Sequence, residues 1–247
     1  MQTFDRLIAL DGAHNVRDLG GYLTADGGST RWRSILRGDA LHALTAADIE
    51  NLVDQGLTTV IDLRSESEIT AEANPFTGHD RVSYHNTSLF GAMAPLEMMA
   101  DAISSFDMGH RYCRGLDECQ PAIAEVLGKI ADAPDGAVLF HCSAGKDRTG
   151  IISALLLANA GVEEKTIIED YALTATISGP LISLLRERAL QRGIRPTVAD
   201  VVLASEPASM LRALAHISAT YGGARSYLSA IGLSDAAIDR LASRLTA

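Results

Sequence analysis

The chain has 247 residues, 47% of them hydrophobic, which exceeds the usual domain size of roughly 100–200 residues, so one large domain or a domain with an inserted subdomain is expected. Its 21 Lys and Arg face 31 Asp and Glu, and the resulting net charge of −10 argues against duplex nucleic acid or an anionic membrane surface as the main partner. Cys113, Cys119 and Cys142 are too few, and odd in number, for a secreted disulfide framework, so free thiols in a reducing compartment, the cytoplasm by default, are expected. Asp5 and Arg6 precede only four apolar residues, and the longest apolar stretch, 151–158, is interrupted by Ser153. Neither a secretory signal nor a membrane span is therefore expected, although export without a cleaved leader stays open.

Residues 12–39 are rich in Gly, Asp and Arg, with a hairpin signal at Asp26-Gly27-Gly28, and read as a small β element. Thr45 opens a helix that runs to Gln55, with Asp48 placed to make a near capping box and Gly56 ending it. The β-branched run from Thr58 to Leu63 predicts a buried strand, and 82–88 a second one. The stretch 90–110, with several Met, Gly91, Pro95 and Gly109, suits a helical or loop insertion. Helical spacing returns over 111–130, where Pro121 starts a new helix. Ala137-Val138-Leu139-Phe140-His141, bounded by Pro134-Asp135-Gly136, predicts a central parallel strand. Beyond Gly150 the pattern is helical throughout, over 151–160, 163–174, 180–192, 207–221, 225–231 and 235–245, with glycines at the ends. The reading is a single α/β domain over 1–247: a central, mainly parallel sheet flanked by helices, with a helical C-terminal half.

The chemistry concentrates in His141-Cys142-Ser143-Ala144-Gly145-Lys146-Asp147-Arg148-Thr149-Gly150, between that strand and the next helix. Cys with Arg six positions later is a weak signal alone. A tight turn on a buried strand's C-terminal end, opening directly into a helix, makes it strong, because unpaired N–H groups and the helix dipole converge there on an anion. A sulfur at that point, flanked by Lys146 and Arg148, sits in positive potential that favours its nucleophilic, anionic form. Arg148 supplies a planar fork for two phosphate oxygens, which a lysine cannot copy. The backbone of Ser143, Ala144, Gly145 and Lys146 is expected to bind the phosphoryl oxygens. His141 and Thr149 are supporting: the first holds the loop through its ring, the second is placed to donate its hydroxyl to the departing sulfur.

Other readings are weaker. Cys113 and Cys119 have no Arg at the sixth following position and read as packing residues. A nucleotide loop of the Walker type fails because Asp147 stands where Ser or Thr should hold magnesium. His110, Cys113 and Cys119 lack paired metal-ligand spacing, so no metal is expected. A non-catalytic phosphate-binding module remains the alternative from a different class.

The HCSAGKDRTG loop resembles the signature of the cysteine-dependent C-x5-R phosphatases, and its Gly-Lys-Asp-Arg-Thr interior resembles the bacterial branch of tyrosine and lipid phosphatases. Asn15-Val16-Arg17-Asp18-Leu19-Gly20-Gly21-Tyr22, Leu36-Arg37-Gly38-Asp39, Val60-Ile61-Asp62-Leu63-Arg64-Ser65 and the C-terminal Tyr221-Gly222-Gly223 are similar to that family as well, with about 90–110 unmatched. The resemblance implies a phosphatase-type fold and two-step hydrolysis of phosphorylated protein or phosphoinositide through a cysteinyl-phosphate on Cys142, without cofactor. It also implies that the proton donor is not on a Trp-Pro-Asp loop, since the single Trp, Trp32, precedes Arg33. Asp147, within the loop, is the family's candidate acid, and Asp62, at a strand end on the same side of the sheet, competes with it. Lys146 either contacts a second phosphate or supports the loop. Arg64 is expected to pair with Glu68 four residues on. Arg37 and Asp39 either wall the pocket or fold their loop. The stretch 166–192 corresponds to a helical lid in the family, although its apolar stripe would serve a core equally.

Overall fold

A computed structural model describes residues 5–89, 91–93 and 107–246. Among the described residues the elements follow in the order β1 (Arg17–Asp18), β2 (Ile35–Gly38), α1 (Ala46–Asp54), β3 (Leu57–Asp62), α2 (Glu66–Ala71), β4 (Ser83–Asn86), α3 (Met108–Glu118), α4 (Gln120–Asp132), β5 (Ala137–His141), α5 (Asp147–Asn159), α6 (Glu164–Ile177), α7 (Gly179–Gln191), α8 (Pro196–Leu203), α9 (Pro207–Tyr221), α10 (Ala224–Ala230) and α11 (Asp235–Leu245). The strands form one sheet in the order β1-β2-β5-β3-β4, parallel throughout except for the antiparallel β1–β2 pair.

β5 sits at the centre because its five residues are all buried and apolar up to His141, as a strand covered on both faces requires. Successive side chains alternate between two cores: Val138 and Phe140 face one, Ala137 and Leu139 the other. The same split places Ile35 and Ile61 on the first face and Leu36 and Val60 on the second. The second core is closed by α1 through Leu52 and Val53, together with Val16 and Phe76. The first is much larger and takes α3 to α6 and α9 to α11. Its axis is α5, buried continuously from Arg148 to Leu157, which is the pattern of a helix surrounded by protein.

Several expectations are met with sharper edges. Thr45 and Asp48 form a complete capping box on α1, and Asp48 also accepts the backbone N–H groups of Asp11 and Gly12. Pro121 lies in the first turn of α4. The strand expected over 82–88 is β4, at the sheet edge. β1 and β2 both fall in the stretch 12–39 read as a small β element, and two elements are additional: α2, six residues just after β3, and α8, which starts at Pro196 after the turn at Gly193. Of the insertion expected over 90–110, residues 91–93 form a single 3-10 turn and 108–110 begin α3; the rest lies outside the described residues. No helix among the described residues is long and apolar enough to cross a membrane.

A buried charge cluster joins the sheet to α6. Asp170 accepts from Arg17 Nε at 3.2 Å, from Tyr22 Oη at 2.9 Å and from Arg37 Nη1, with both arginines fully buried. Burial opposes the charge on Asp170, but Arg17 and Arg37 outweigh it and bring its pKa from 3.8 down to about 2. A carboxylate depressed in this way stabilises the fold at all pH values above its unfolded pKa, and that contribution is lost as pH falls through the folded value. The expected outcome in urea titrations is a wild-type stability that declines from about pH 4 toward pH 2. Asp170→Ala should be weaker at neutral pH by roughly 3–5 kcal/mol, since it strands two buried guanidiniums, and flatter across that acid window.

Candidate active site

The loop from Cys142 to Lys146 leaves the carboxyl end of the central strand and enters α5, the position where open α/β sheets bind ligands. Its carbonyl oxygens are drawn outward. That of Cys142 lies 3.3 Å from the His141 ring, that of Ser143 accepts Ala40 N–H at 3.1 Å, that of Ala144 accepts Asn15 Nδ2 at 2.9 Å, and that of Gly145 accepts Arg37 Nη2 at 2.7 Å. In a trans peptide the N–H of the next residue points opposite to the carbonyl. The amides of Ser143, Ala144, Gly145 and Lys146 are therefore turned toward the concave side, which makes a nest for an anion. Gly145 sits at φ +66°, where a side chain is strained, and a Cβ there would lie 2.7 Å from the Gly38 backbone.

Cys142 is buried at the floor of this nest, and Thr149 Oγ1 donates to its sulfur at 3.1 Å. Arg148 is gripped from α2: Nη1 and Nη2 each donate to one oxygen of Glu68 at 2.8 Å, and Nη2 also reaches Ser143 Oγ at 3.2 Å. Ser143 Oγ donates in turn to Glu68. Glu68 also closes the capping box of α2 with Ser65. Burial works against its charge, yet the hydrogen bonds and charge of Arg148 lower its pKa to about 2.

These groups open into a cavity of about 320 Å³, walled by the loop, by α2 and the Glu72 that caps it, by Arg111, by Leu185 and Arg188 of α7 and the Arg192 that caps it, and by Val202 and Leu203 at the end of α8. Asp147 and Lys146 both line it. Asp147 Oδ1 accepts the Tyr112 hydroxyl at 2.5 Å and lies 3.3 Å from Lys146 Nζ. The Lys146 ammonium is directed to α8, where it donates to the carbonyls of Val202 and, at 2.9 Å, Ala204. The stretch 166–192 divides at Ser178. α6 buries Ile167, Asp170, Tyr171 and Thr174 in the body of the protein, whereas α7, together with α8, forms the cavity wall.

Asp62 does end its strand beside His141, but it is not among the residues that line the cavity. It is fully buried and accepts from the backbone N–H, Nε and Nη2 of Arg64 and from Asn74 Nδ2. Although burial opposes ionisation, His141 and Arg64 hold it well below the usual carboxylate range. A group so enclosed has neither a proton to give nor a path to a leaving group, which argues against Asp62 as the acid. The expected Arg64–Glu68 pair is replaced by Arg64–Asp62 and Arg148–Glu68. The reason is that Ser65 caps α2, so Arg64 lies before the helix and no i,i+4 geometry exists. Arg37 and Asp39 are not cavity walls: Arg37 holds the loop from behind, and Asp39 accepts the His14 and Asn15 N–H groups that place Asn15.

The sequence reading did not single out Glu68 as the partner of Arg148, nor Asn15, Asp170, Tyr112, Arg111, Arg188 or Arg192. Ser65-Glu66-Ser67-Glu68 is a capping-box pattern that would have placed Glu68 at the start of a helix just beyond the β3 edge. Among the described residues no three His, Cys, Asp or Glu gather in a metal-binding group.

A model of the tyrosine phosphatase family matches residues 8–247. The chain therefore belongs to the tyrosine phosphatase family, and the protein is a phosphatase by class. It is 37% identical over 215 residues to a tyrosine-protein phosphatase of Nostoc commune, covering 83% of this chain and 71% of that protein. It is also 27% identical over 272 residues to the triple specificity protein phosphatase PtpB of Mycobacterium tuberculosis, covering 94% of this chain and 96% of that one.

The outward set of the loop carbonyls makes Gly145→Ala a sharp test. The added methyl meets backbone at Gly38 and the Asn15 amide at 2.8 Å, so the loop must shift. Turnover of p-nitrophenyl phosphate and affinity for vanadate should fall together by at least about tenfold, with the bulk of the fold retained by circular dichroism.

Proposed function

We propose that the protein hydrolyses phosphomonoesters through a cysteinyl-phosphate on Cys142, with phosphotyrosine as the first substrate class and phosphoserine, phosphothreonine or phosphoinositide as further ones. The observation that carries this reading is the placement of Cys142 Sγ, under a nest of inward amides and beside a guanidinium fixed by Glu68. The names of the relatives, one a tyrosine-protein phosphatase and one a triple specificity phosphatase, support the substrate range.

In the first step Cys142 Sγ attacks phosphorus in line. The S–P bond forms, the ester P–O bond breaks, and Asp147 gives a proton to the leaving oxygen. In the second, water attacks phosphorus, Asp147 takes back a proton, and sulfur leaves with the Thr149 hydroxyl already donating to it. Loop amides and Arg148 stabilise charge on the equatorial oxygens. Glu68 occupies the Nη1–Nη2 edge of Arg148, so the donors left for a substrate oxygen are Nε–H and the Nη2 proton now shared with Ser143. α7 and α8 serve as the lid, with Lys146 tying the loop to the end of α8.

Cys142→Ser should abolish hydrolysis while phosphate or vanadate still binds; hydrolysis surviving in that variant refutes the covalent route. Asp147→Asn should slow a poor leaving group, such as phenyl phosphate, by roughly 100-fold or more, but p-nitrophenyl phosphate much less. Equal losses on the two esters would remove Asp147 as the acid.

A further inference from the structure

Behind Asp147 stand two buried tyrosines that the phosphoryl-transfer chemistry does not use. Tyr112 of α3 is fully buried, and its hydroxyl lies 2.5 Å from Asp147 Oδ1 and 2.8 Å from the hydroxyl of Tyr171 on α6. Their rings meet edge to face at 5.9 Å. Packing alone would be served by phenylalanine. A hydroxyl withdrawn from water needs a partner, and the one that Tyr112 meets besides Tyr171 is the carboxylate at the cavity wall.

We propose that Tyr112 is a positioning residue for proton transfer: its hydroxyl, backed by Tyr171, fixes Asp147 so that Oδ2 is the oxygen that carries the proton to the leaving group. This rests on the reading of Asp147 as the acid. Burial, followed by the charge of Asp147, pushes the Tyr112 phenol well above its ordinary value, so it keeps its proton and is the donor. Tyr171 then donates to Tyr112, and the chain of donation runs from the core toward the cavity. Oδ1 is engaged both by Tyr112 and by Lys146 Nζ, which leaves Oδ2 for the substrate.

The arrangement suits both halves of the cycle. With the proton on Oδ2, Oδ1 is a carbonyl oxygen and accepts from Tyr112; once the proton has passed to the ester oxygen, Oδ1 belongs to a carboxylate and accepts still. Tyr112 transfers no proton itself, and its bond need not be remade during turnover, which is the economy of a preorganised site. Without it, Asp147 keeps the Lys146 contact at Oδ1 and the attraction of the Arg111 charge but loses its hydrogen bond to the core, and the fraction of encounters with the acid correctly aimed falls.

The test is kcat/KM for phenyl phosphate and p-nitrophenyl phosphate with wild type, Tyr112→Phe and Asp147→Asn. This parameter reports steps up to cysteinyl-phosphate formation, where the acid acts. Tyr112→Phe is expected to lose about tenfold or more on phenyl phosphate and less than about twofold on p-nitrophenyl phosphate, with vanadate affinity unchanged. A loss equal on both esters, or no loss, while Asp147→Asn remains selective, overturns the positioning role alone. A non-selective Asp147→Asn overturns the acid assignment and the positioning role with it. Should Tyr112→Phe fail to fold, Tyr171→Phe replaces it. That variant keeps the Tyr112–Asp147 contact but removes the donor behind it, and is expected to show the same selectivity at about threefold; uniform or absent losses there also overturn the proposal.

Discussion

Turning the carbonyl oxygens of one short loop away from its concave side is the constraint from which much of the surrounding architecture follows. Each oxygen needs a donor behind it, because a buried unpaired carbonyl is costly. Three of the donors come from the chain's first forty residues: Asn15, Arg37 and the backbone N–H of Ala40. A guanidinium buried at that depth needs a countercharge, and Asp170 supplies it from α6 while also holding Arg17, whose Nη1 donates to the Asn15 side chain. Asp39 anchors the Asn15 segment through two backbone amides. The anion nest is thus the visible end of a buried polar network that runs from the N-terminal strands to the helical half, and the sheet order β2-β5 brings the two ends together.

Electrostatics at the site run against the charge of the chain as a whole. The chain carries −10, yet the cavity gathers Arg111, Lys146, Arg148, Arg188 and Arg192 against Glu68, Glu72 and Asp147. Acidic groups beside an anion site look counterproductive until their contacts are followed. Glu68 holds one edge of the Arg148 fork at two points, and Glu72 pairs with Arg188 at 3.0 Å. Such partners take part of the positive field but fix the direction in which the remaining donors point, and preorganised dipoles act on a transition state without rearranging. The surplus of positive charge is local to the cavity lining, against the acidic balance of the chain as a whole.

What could be read from the sequence was the part governed by local rules. The central strand, the loop with Cys142 and Arg148, the helix behind it and the cap at Thr45 each follow from spacing within about ten residues. What was not legible depends on meetings between distant segments. Glu68 lies four residues from Arg64, and the helical spacing rule pointed there; it fails because the cap at Ser65 starts the helix one residue too late, and Glu68 turns instead to a residue 80 positions on. β2 lay inside a stretch read as β, but its parallel pairing with β5, about a hundred positions on, is a meeting that no local pattern encodes, and α2 at six residues is too short to show a helical period. Tyr112 lies within an amphipathic helix, where an aromatic reads as core; only the fold reveals that its polar end reaches Asp147.

Lys146 links chemistry to conformation. On sequence it had two candidate roles, to bind a second phosphate or to support the loop, and its geometry turns these into competitors. The ammonium caps the C-terminal carbonyls of α8, a favourable site for a cation at the negative end of a helix. A ligand anion that recruits Lys146 must take it from those carbonyls, and α8 then loses its tie to the loop. Under the lid reading, a substrate carrying only the scissile phosphate leaves that tie intact, whereas one with a further anion near Lys146 gains a contact and releases α8 together. A ligand shifts such an equilibrium only by the difference in its affinity for the two states. In this site that difference is set by whether one lysine is worth more to the ligand or to the end of a helix.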